Sequence, residues 1–154
     1  MDKIELKAID IKPFYVNFSD NYMLKTDFKR MQQVFLNLLS NAIKFTDRHG
    51  KIKVIVEKLD NGFIRLSVED NGKGIKVKNQ DKLFKLFGSM KDEKRGVNTN
   101  GIGLGLVISK LIVTKFNGYI DFYSKHKKGS TFYYTFEVQP IQIEQVKVIE
   151  QIPK

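Results

Sequence analysis

The chain contains no cysteine, so it has neither a disulfide framework nor a thiolate metal site, and nothing in it reports on redox compartment. No apolar run approaches the roughly 20 residues that a membrane-spanning helix needs. Its first residues, Met1-Asp2-Lys3-Ile4-Glu5, lack the apolar stretch of a secretory signal. The expectation is a soluble, cytoplasmic segment without direct membrane insertion, although a parent protein could be anchored through parts outside it. Internal repeats and low-complexity tracts are absent too. Neither His49 nor His126 has a carboxylate or serine companion in sequence, and both stand in turn-like stretches. They read as solvated histidines, with no nucleophile triad and no metal cluster.

What is present fits one domain: 154 residues, of which 42% are apolar, enough to close a core without metal or disulfide support. The 27 Lys and Arg against 17 Asp and Glu give a formal charge of +10, which attracts polyanions such as nucleic acid or a nucleoside triphosphate. The lysines are scattered, with local groups at Lys73, Lys76, Lys78, Lys82 and Lys85 and at Lys125, Lys127 and Lys128. No stacking aromatics alternate with them as on a single-strand binding platform, so most read as solvated surface and no nucleic-acid partner is expected.

Residues 4–9 and 14–18 read as short strands separated by Pro13. Asp27 can cap a helix running to about Phe45, with Met31, Val34, Phe35, Leu38, Ala42 and Phe45 at helical spacing. Lys51–Leu59 and Phe63–Glu69 alternate around the turn Asp60-Asn61-Gly62, a hairpin signal. Leu83–Phe87 could form a short helix, and Met90–Asn100 is a polar stretch without periodicity. Leu104–Phe116 reads as a second long helix, followed by strands Tyr119–Ser124 and Thr131–Val138 around the turn His126–Gly129. From Gln139 the chain reads as a tail or linker stub, giving a domain over 1–138 and a tail over 139–154. The sum is an α+β two-layer sandwich, a mixed, mostly antiparallel sheet covered on one face by helices.

Four motifs stand out in one order. The first is Asn37-Leu38-Leu39-Ser40-Asn41-Ala42-Ile43-Lys44-Phe45. At about 100° per residue, Asn37, Asn41 and Lys44 fall within roughly 60° of one another, beside the apolar face. An Asn side-chain oxygen can ligate Mg²⁺, and a lysine one turn on can neutralise phosphate. The plain alternative is a solvated helix face, yet two asparagines at i,i+4 are unusual in so apolar a helix. The second is Asp70-Asn71-Gly72-Lys73-Gly74 at a strand end. It is either an ordinary tight turn or a carboxylate that accepts from an exocyclic amine such as adenine's, with glycines letting backbone approach the base. The third, Gly101-Ile102-Gly103-Leu104-Gly105-Leu106, is either a flexible loop or a set of backbone amides presented to an anion at a helix start. It overlaps a dinucleotide-binding pattern, but no βαβ unit surrounds it. The fourth, Gly129-Ser130-Thr131-Phe132, is most simply a hairpin turn, and Leu83–Phe87 most simply core packing.

The ordered set resembles the ATP-binding catalytic domain of sensor histidine kinases, in the Bergerat-fold superfamily shared with gyrase, heat-shock chaperone and mismatch-repair ATPases. Gln33 to Thr46 is similar to the family's N box almost residue for residue. Asp70, Gly72 and Gly74 resemble its first glycine box, Phe84 and Phe87 its phenylalanine box, and Gly101, Gly103 and Gly105 its second glycine box. Gly129-Ser130-Thr131-Phe132 resembles the closing glycine motif. The resemblance covers roughly residues 1–138 and implies ATP and Mg²⁺ as ligands. Asn41 would ligate Mg²⁺, with Asn37 and Lys44 holding the phosphates. Asp70 would read the adenine amine, with Phe45 and Thr131 near the base. Met90–Asn100 would be a lid whose Lys91, Lys94 or Arg95 reaches the γ-phosphate, and Gly101 to Gly105, with Leu104, would hinge it and present amides. Where the family carries a Glu-Pro-like pair between its aromatics, Lys85-Leu86 stands here, which puts the anchoring of the lid's base in question.

Position 37 separates branches of the superfamily. The hydrolysing members use a glutamate there to activate water, and asparagine cannot take that proton at neutral pH. The resemblance therefore implies the donor half of a two-component histidine kinase. It would pass the γ-phosphoryl group to a histidine on a separate dimerisation and phosphotransfer domain, upstream of a response-regulator receiver domain. No acidic-flanked helical histidine occurs in this chain, and the isolated domain is expected to be a monomer. The alternatives are an ATPase module that drives conformational change and a non-catalytic nucleotide-sensing pseudokinase domain. DNA binding from basicity alone is more distant.

Overall fold

The computed structural model describes residues 7–18, 24–85 and 104–140. Helix α1 (Phe28–Phe45) starts where its sequence signal stands: the Asp27 carboxylate accepts from the Arg30 amide at 3.1 Å. Its 3.6-residue period buries Met31, Val34, Leu38 and Ala42 along one stripe. Next come the short helix α2 (Val77–Gln80) and then α3 (Gly105–Thr114), which packs beside α1.

Five strands form the sheet under these helices: β1 (Asp10–Val16), β3 (Lys51–Lys58), β4 (Phe63–Asp70), β5 (Ile120–Lys125) and β6 (Gly129–Glu137), in the order β1-β3-β4-β6-β5. β1 lies parallel to β3, and every other neighbouring pair in this sheet is antiparallel. Strand alternation sorts the two faces. Ile64, Leu66 and Val68 of β4 and Phe132, Tyr134 and Phe136 of β6 join the core beneath the helices. Tyr134 is fully buried, and its hydroxyl donates to Met31 O at 3.0 Å, tying sheet to helix. On the opposite face Tyr123 stacks on Tyr133, and Tyr119 meets the same ring edge-on. This is the expected two-layer α+β sandwich.

Four local expectations change. β1 runs through Pro13 as one strand over 10–16, whereas residues 7–9, expected in a strand, precede it outside the sheet, and residues 4–6 lie outside the described ones. Proline's missing N–H is tolerated because β1 is an edge strand with β3 as its one neighbour in the sheet. Leu83 to Lys85 form turns rather than a helix, while Leu86 and Phe87 lie outside the described residues. The helix of this region is α2, held by Gln80, whose Nε2 donates to Ile75 O (3.1 Å) and Ser124 O (3.2 Å). α3 ends at Thr114, two residues earlier than expected, because Lys115 to Asn117 turn the chain and Asn117 takes a positive φ of 55°. Finally, Gln139–Pro140, assigned to the tail, form β7 and pair antiparallel with β2 (Leu24–Lys25), so the folded unit runs past residue 138.

Candidate nucleotide site

Three segments meet at one end of the sandwich: the last turn of α1, the loop after β4, and the β5–β6 turn. Asp70 closes β4 and is only 8% exposed. Its Oδ1 accepts from the Gly72 amide at 2.8 Å, which fixes the carboxylate within its own turn. Burial pushes the Asp70 pKa up, partly offset by hydrogen bonds from the Gly72 and Ser130 amides. A carboxylate so placed is a strong acceptor for a ligand N–H.

The loop Asp70–Gly74 is clipped on both sides. Lys73 N–H donates to Phe45 O (3.2 Å), and Lys73 O accepts from Lys127 N–H (2.7 Å). Gly74 has a φ of +59°, and a Cβ there would lie 2.0 Å from Lys125 O, so only glycine lets the loop pass under the β5–β6 turn. Ser124 Oγ then joins the pieces: it accepts from Ile75 N–H (2.8 Å), donates to Gly129 O (3.1 Å) and lies 3.0 Å from Ser130 Oγ.

On α1, Asn37 and Asn41 are half-buried and Lys44 is exposed. Lys44 Nζ lies 5.2 Å from the centre of the Phe45 ring, itself 40% exposed. Asn37 reaches α3: its Nδ2 donates to Ser109 Oγ at 2.9 Å. The two helices approach so closely there that a Cβ on Gly105 would stand 2.2 Å from Asn37 Oδ1. Leu104 is the N-cap of α3 and supplies no side-chain capping bond, and the start of a helix favours an anion.

Two observations bear on how a nucleotide would fit here. Gly72 is pressed against α1, where a Cβ would meet Phe45 O at 2.4 Å and Asp70 Oδ1 at 2.9 Å, so only glycine lets the loop lie this close beside the carboxylate. Thr46, fully buried at the end of α1, has a hydroxyl with no hydrogen-bond partner among the described residues. Buried hydroxyls are rarely left unpaired, so this one calls for a partner such as a ligand or a water. For Mg²⁺ the donor set fits by its chemistry, since the carboxamide oxygen of Asn41 is a hard neutral ligand and the metal takes its remaining positions from phosphate and water. No group of three or more His, Cys, Asp or Glu that could hold a metal occurs among the described residues.

Residues 26–140 match the family described as "Histidine kinase-, DNA gyrase B-, and HSP90-like ATPase". The chain belongs to this family. Among curated relatives it is 35% identical over 119 residues to the aerobic respiration control sensor protein ArcB of Escherichia coli (strain K12), covering 77% of this chain and 15% of ArcB. It is 40% identical over 109 residues to the signal transduction histidine-protein kinase BarA of the same strain, covering 68% of this chain and 12% of BarA. Thus the chain spans a small fraction of these relatives' length. Among solved structures it is similar to full-length ShkA in complex with AMPPNP (TM-score 0.74, 26% identity, 90% of this chain and 27% of that one). It is also similar to the catalytic domain of histidine kinase ThkA (TM-score 0.68, 29% identity, 88% of this chain and 82% of that one). The chain is an ATP-binding domain of the histidine-kinase type.

Against this frame the expected site residues fall into three groups. Asn37, Asn41, Lys44, Phe45, Asp70, Gly72, Gly74, Leu104 and Gly105 lie on α1, in the loop that ends β4 and at the start of α3. Lys91, Lys94, Arg95, Gly101 and Gly103 lie outside the described residues. Thr131 stands apart from the first group. Register puts it opposite Glu69 and Tyr123 on the open tyrosine-bearing face, while Ser130 stands opposite Asp70 on the helix side and is 8% exposed. The signal was available, because Ser130 shares parity with the apolar Phe132, Tyr134 and Phe136. Thr46 and Ser109, the further polar groups here, carry no comparable sequence signal.

Proposed function

We propose that this domain is the phosphoryl-donor half of a two-component sensor histidine kinase, binding ATP with Mg²⁺ and acting on a histidine of a separate dimerisation domain. The observation that carries this reading is the state of Asn37. At the position where hydrolysing relatives need an acid, its carboxamide nitrogen is a donor, engaged with Ser109 Oγ at 2.9 Å. It cannot accept a proton from water, so the site lacks the base for hydrolysis and is suited to positioning and charge neutralisation.

Bound ATP would supply the γ-phosphoryl group, and the metal would offset its charge. The chain's residues then divide the remaining tasks. Asp70 accepts from the adenine amine, the Phe45 ring flanks the base, Asn41 offers its oxygen to the metal, and Lys44 faces the phosphates. The amides at the start of α3 add donors for the phosphate chain. α3 also presents Ile108 (41% exposed) and Leu111 (63% exposed) on its outer side, an apolar strip beside the phosphates that suits an acceptor helix. On this reading a receiver domain takes the phosphoryl group onward, and the protein works in the cytoplasm. No helix among the described residues is long and apolar enough to cross a membrane.

The test supplies γ-labelled ATP and Mg²⁺ to the domain with and without a dimerisation domain from the same parent protein. Label on the acceptor histidine, with negligible phosphate release in its absence, is the expected result. Steady phosphate release by the domain alone would instead make it an ATPase module. Tight ATP binding with no label on a matched acceptor would make it a nucleotide-sensing pseudokinase.

A further inference from the structure

α1 ends without a glycine cap, and the carbonyls of its last turn are satisfied from other parts of the chain. Ala42 O accepts from Thr46 N–H at 2.9 Å, and Phe45 O accepts from Lys73 N–H at 3.2 Å. The carbonyls of Ile43, Lys44 and Thr46 converge on one atom: Lys7 Nζ donates to them at 2.8, 3.1 and 2.7 Å. An ammonium has three N–H donors, and here all three go to the C-terminal end of a helix, where the dipole concentrates negative charge.

Lys7 is itself held in place. Its carbonyl accepts from His49 N–H at 2.8 Å, and Ile9, two residues on, belongs to the core. Between them Ala8 has a φ of 48°, a left-handed conformation that a residue with a Cβ adopts only under constraint. The turn that Lys7 grips carries Asn41, Lys44 and Phe45, with Thr46 as its C-cap.

We infer that Lys7 is a positioning residue for the nucleotide site: its ammonium holds the last turn of α1 in register with the Asp70 loop. This inference rests on the Mg-ATP reading of that site. Without the cation, three carbonyls would need other partners, and the turn would loosen on the side facing away from the Lys73 clip. Asn41 and Phe45 would then no longer be set against Asp70. A helix cap of stability value alone would make no such difference to binding.

The experiment uses the full 154-residue chain and its Lys7→Met, Lys7→Gln and Lys7→Arg variants. ATP affinity is measured with and without Mg²⁺, well below each unfolding midpoint, and the Asn41 side-chain amide resonance is recorded without ligand. Lys7→Met is expected to weaken Mg-ATP binding about tenfold, the order seen when partners that orient a metal ligand are lost. Its Asn41 resonance should shift, and Lys7→Arg should recover part of both effects. A folded Lys7→Met variant with native affinity and a native Asn41 resonance would overturn the inference, leaving Lys7 a purely structural cap. Should Lys7→Met fail to fold, Lys7→Gln, which keeps two N–H donors but no charge, faces the same two outcomes. If the native chain binds no ATP, the site reading fails, and the Asn41 resonance alone decides for or against Lys7.

Discussion

The corner around Asp70 and the stripe of α1 beside it are built in different ways. Around Asp70 the protein supplies its own partners: the Gly72 amide at 2.8 Å, the Lys73 clip to Phe45 O, and the Ser124–Ser130 pair under the β5–β6 turn. Asp70, Thr46 and Ser130 are all buried. Along the stripe, Asn37 is committed to Ser109, whereas Asn41 is half-buried and Lys44 exposed. A pocket that must discriminate one base is best set before the ligand arrives, because ordering it afterwards would cost affinity. Phosphates need less precision from the protein, since charge is neutralised by cations that the ligand brings or attracts. On the proposed reading, selectivity would belong to the Asp70 corner and metal dependence to the stripe.

The largest expected effect comes from breaking the corner. Asp70→Asn should lower adenine-nucleotide affinity by about 10- to 100-fold, the loss of a hydrogen bond to a buried charge, while the gain from Mg²⁺ persists. A calorimetric titration in both conditions reads both quantities. The same substitution should raise stability at neutral pH. Burial raises the Asp70 pKa above its ordinary 3.8, so the folded state holds the proton more tightly than the unfolded chain. Stability then falls as pH rises from the ordinary value to the raised one and stays level above it. Thermal melts across that window should show the fall in the native protein, and a smaller one in the variant.

A finer test separates the two faces of β6. Ser130→Ala should weaken adenine binding by roughly 2- to 10-fold, since a hydrogen bond near Asp70 is lost. Thr131→Ala should leave binding unchanged. The reverse order in a competition assay would mean that the register argument is wrong. The smallest effect on binding is expected at Tyr134, which lies in the core shared by both regions. Tyr134→Phe should cost about 1 kcal/mol of unfolding free energy, the usual value of one hydrogen bond. ATP affinity should not change, which denaturant melts and titrations together would check.

Local periodicity made much of this legible in the sequence. The α1 stripe follows from 100° steps, and the Asp70 loop from its glycines and its place after an alternating strand. Thr131 and Ser130 part company because only every second residue of a strand faces one side, which a motif taken as a block does not show. Lys7 and Ser109 carry no local signal, because each acts across the fold. Lys7 reaches carbonyls 36 to 39 residues away, and Ser109 meets Asn37 over 72. Pro13 misled for a related reason, since a proline breaks a central strand but not an edge strand, and sheet order is not written locally.

A calorimetric titration of ATP, with and without Mg²⁺, into the native domain and Asn41→Ala decides whether the pocket binds Mg-ATP through Asn41. The native protein should bind ATP, and more tightly with Mg²⁺. In Asn41→Ala that gain should vanish while metal-free binding stays near native, because the Asp70 corner is intact. An absence of binding by the native domain, or a Mg²⁺ gain that survives in Asn41→Ala, would contradict the Mg-ATP reading of the site.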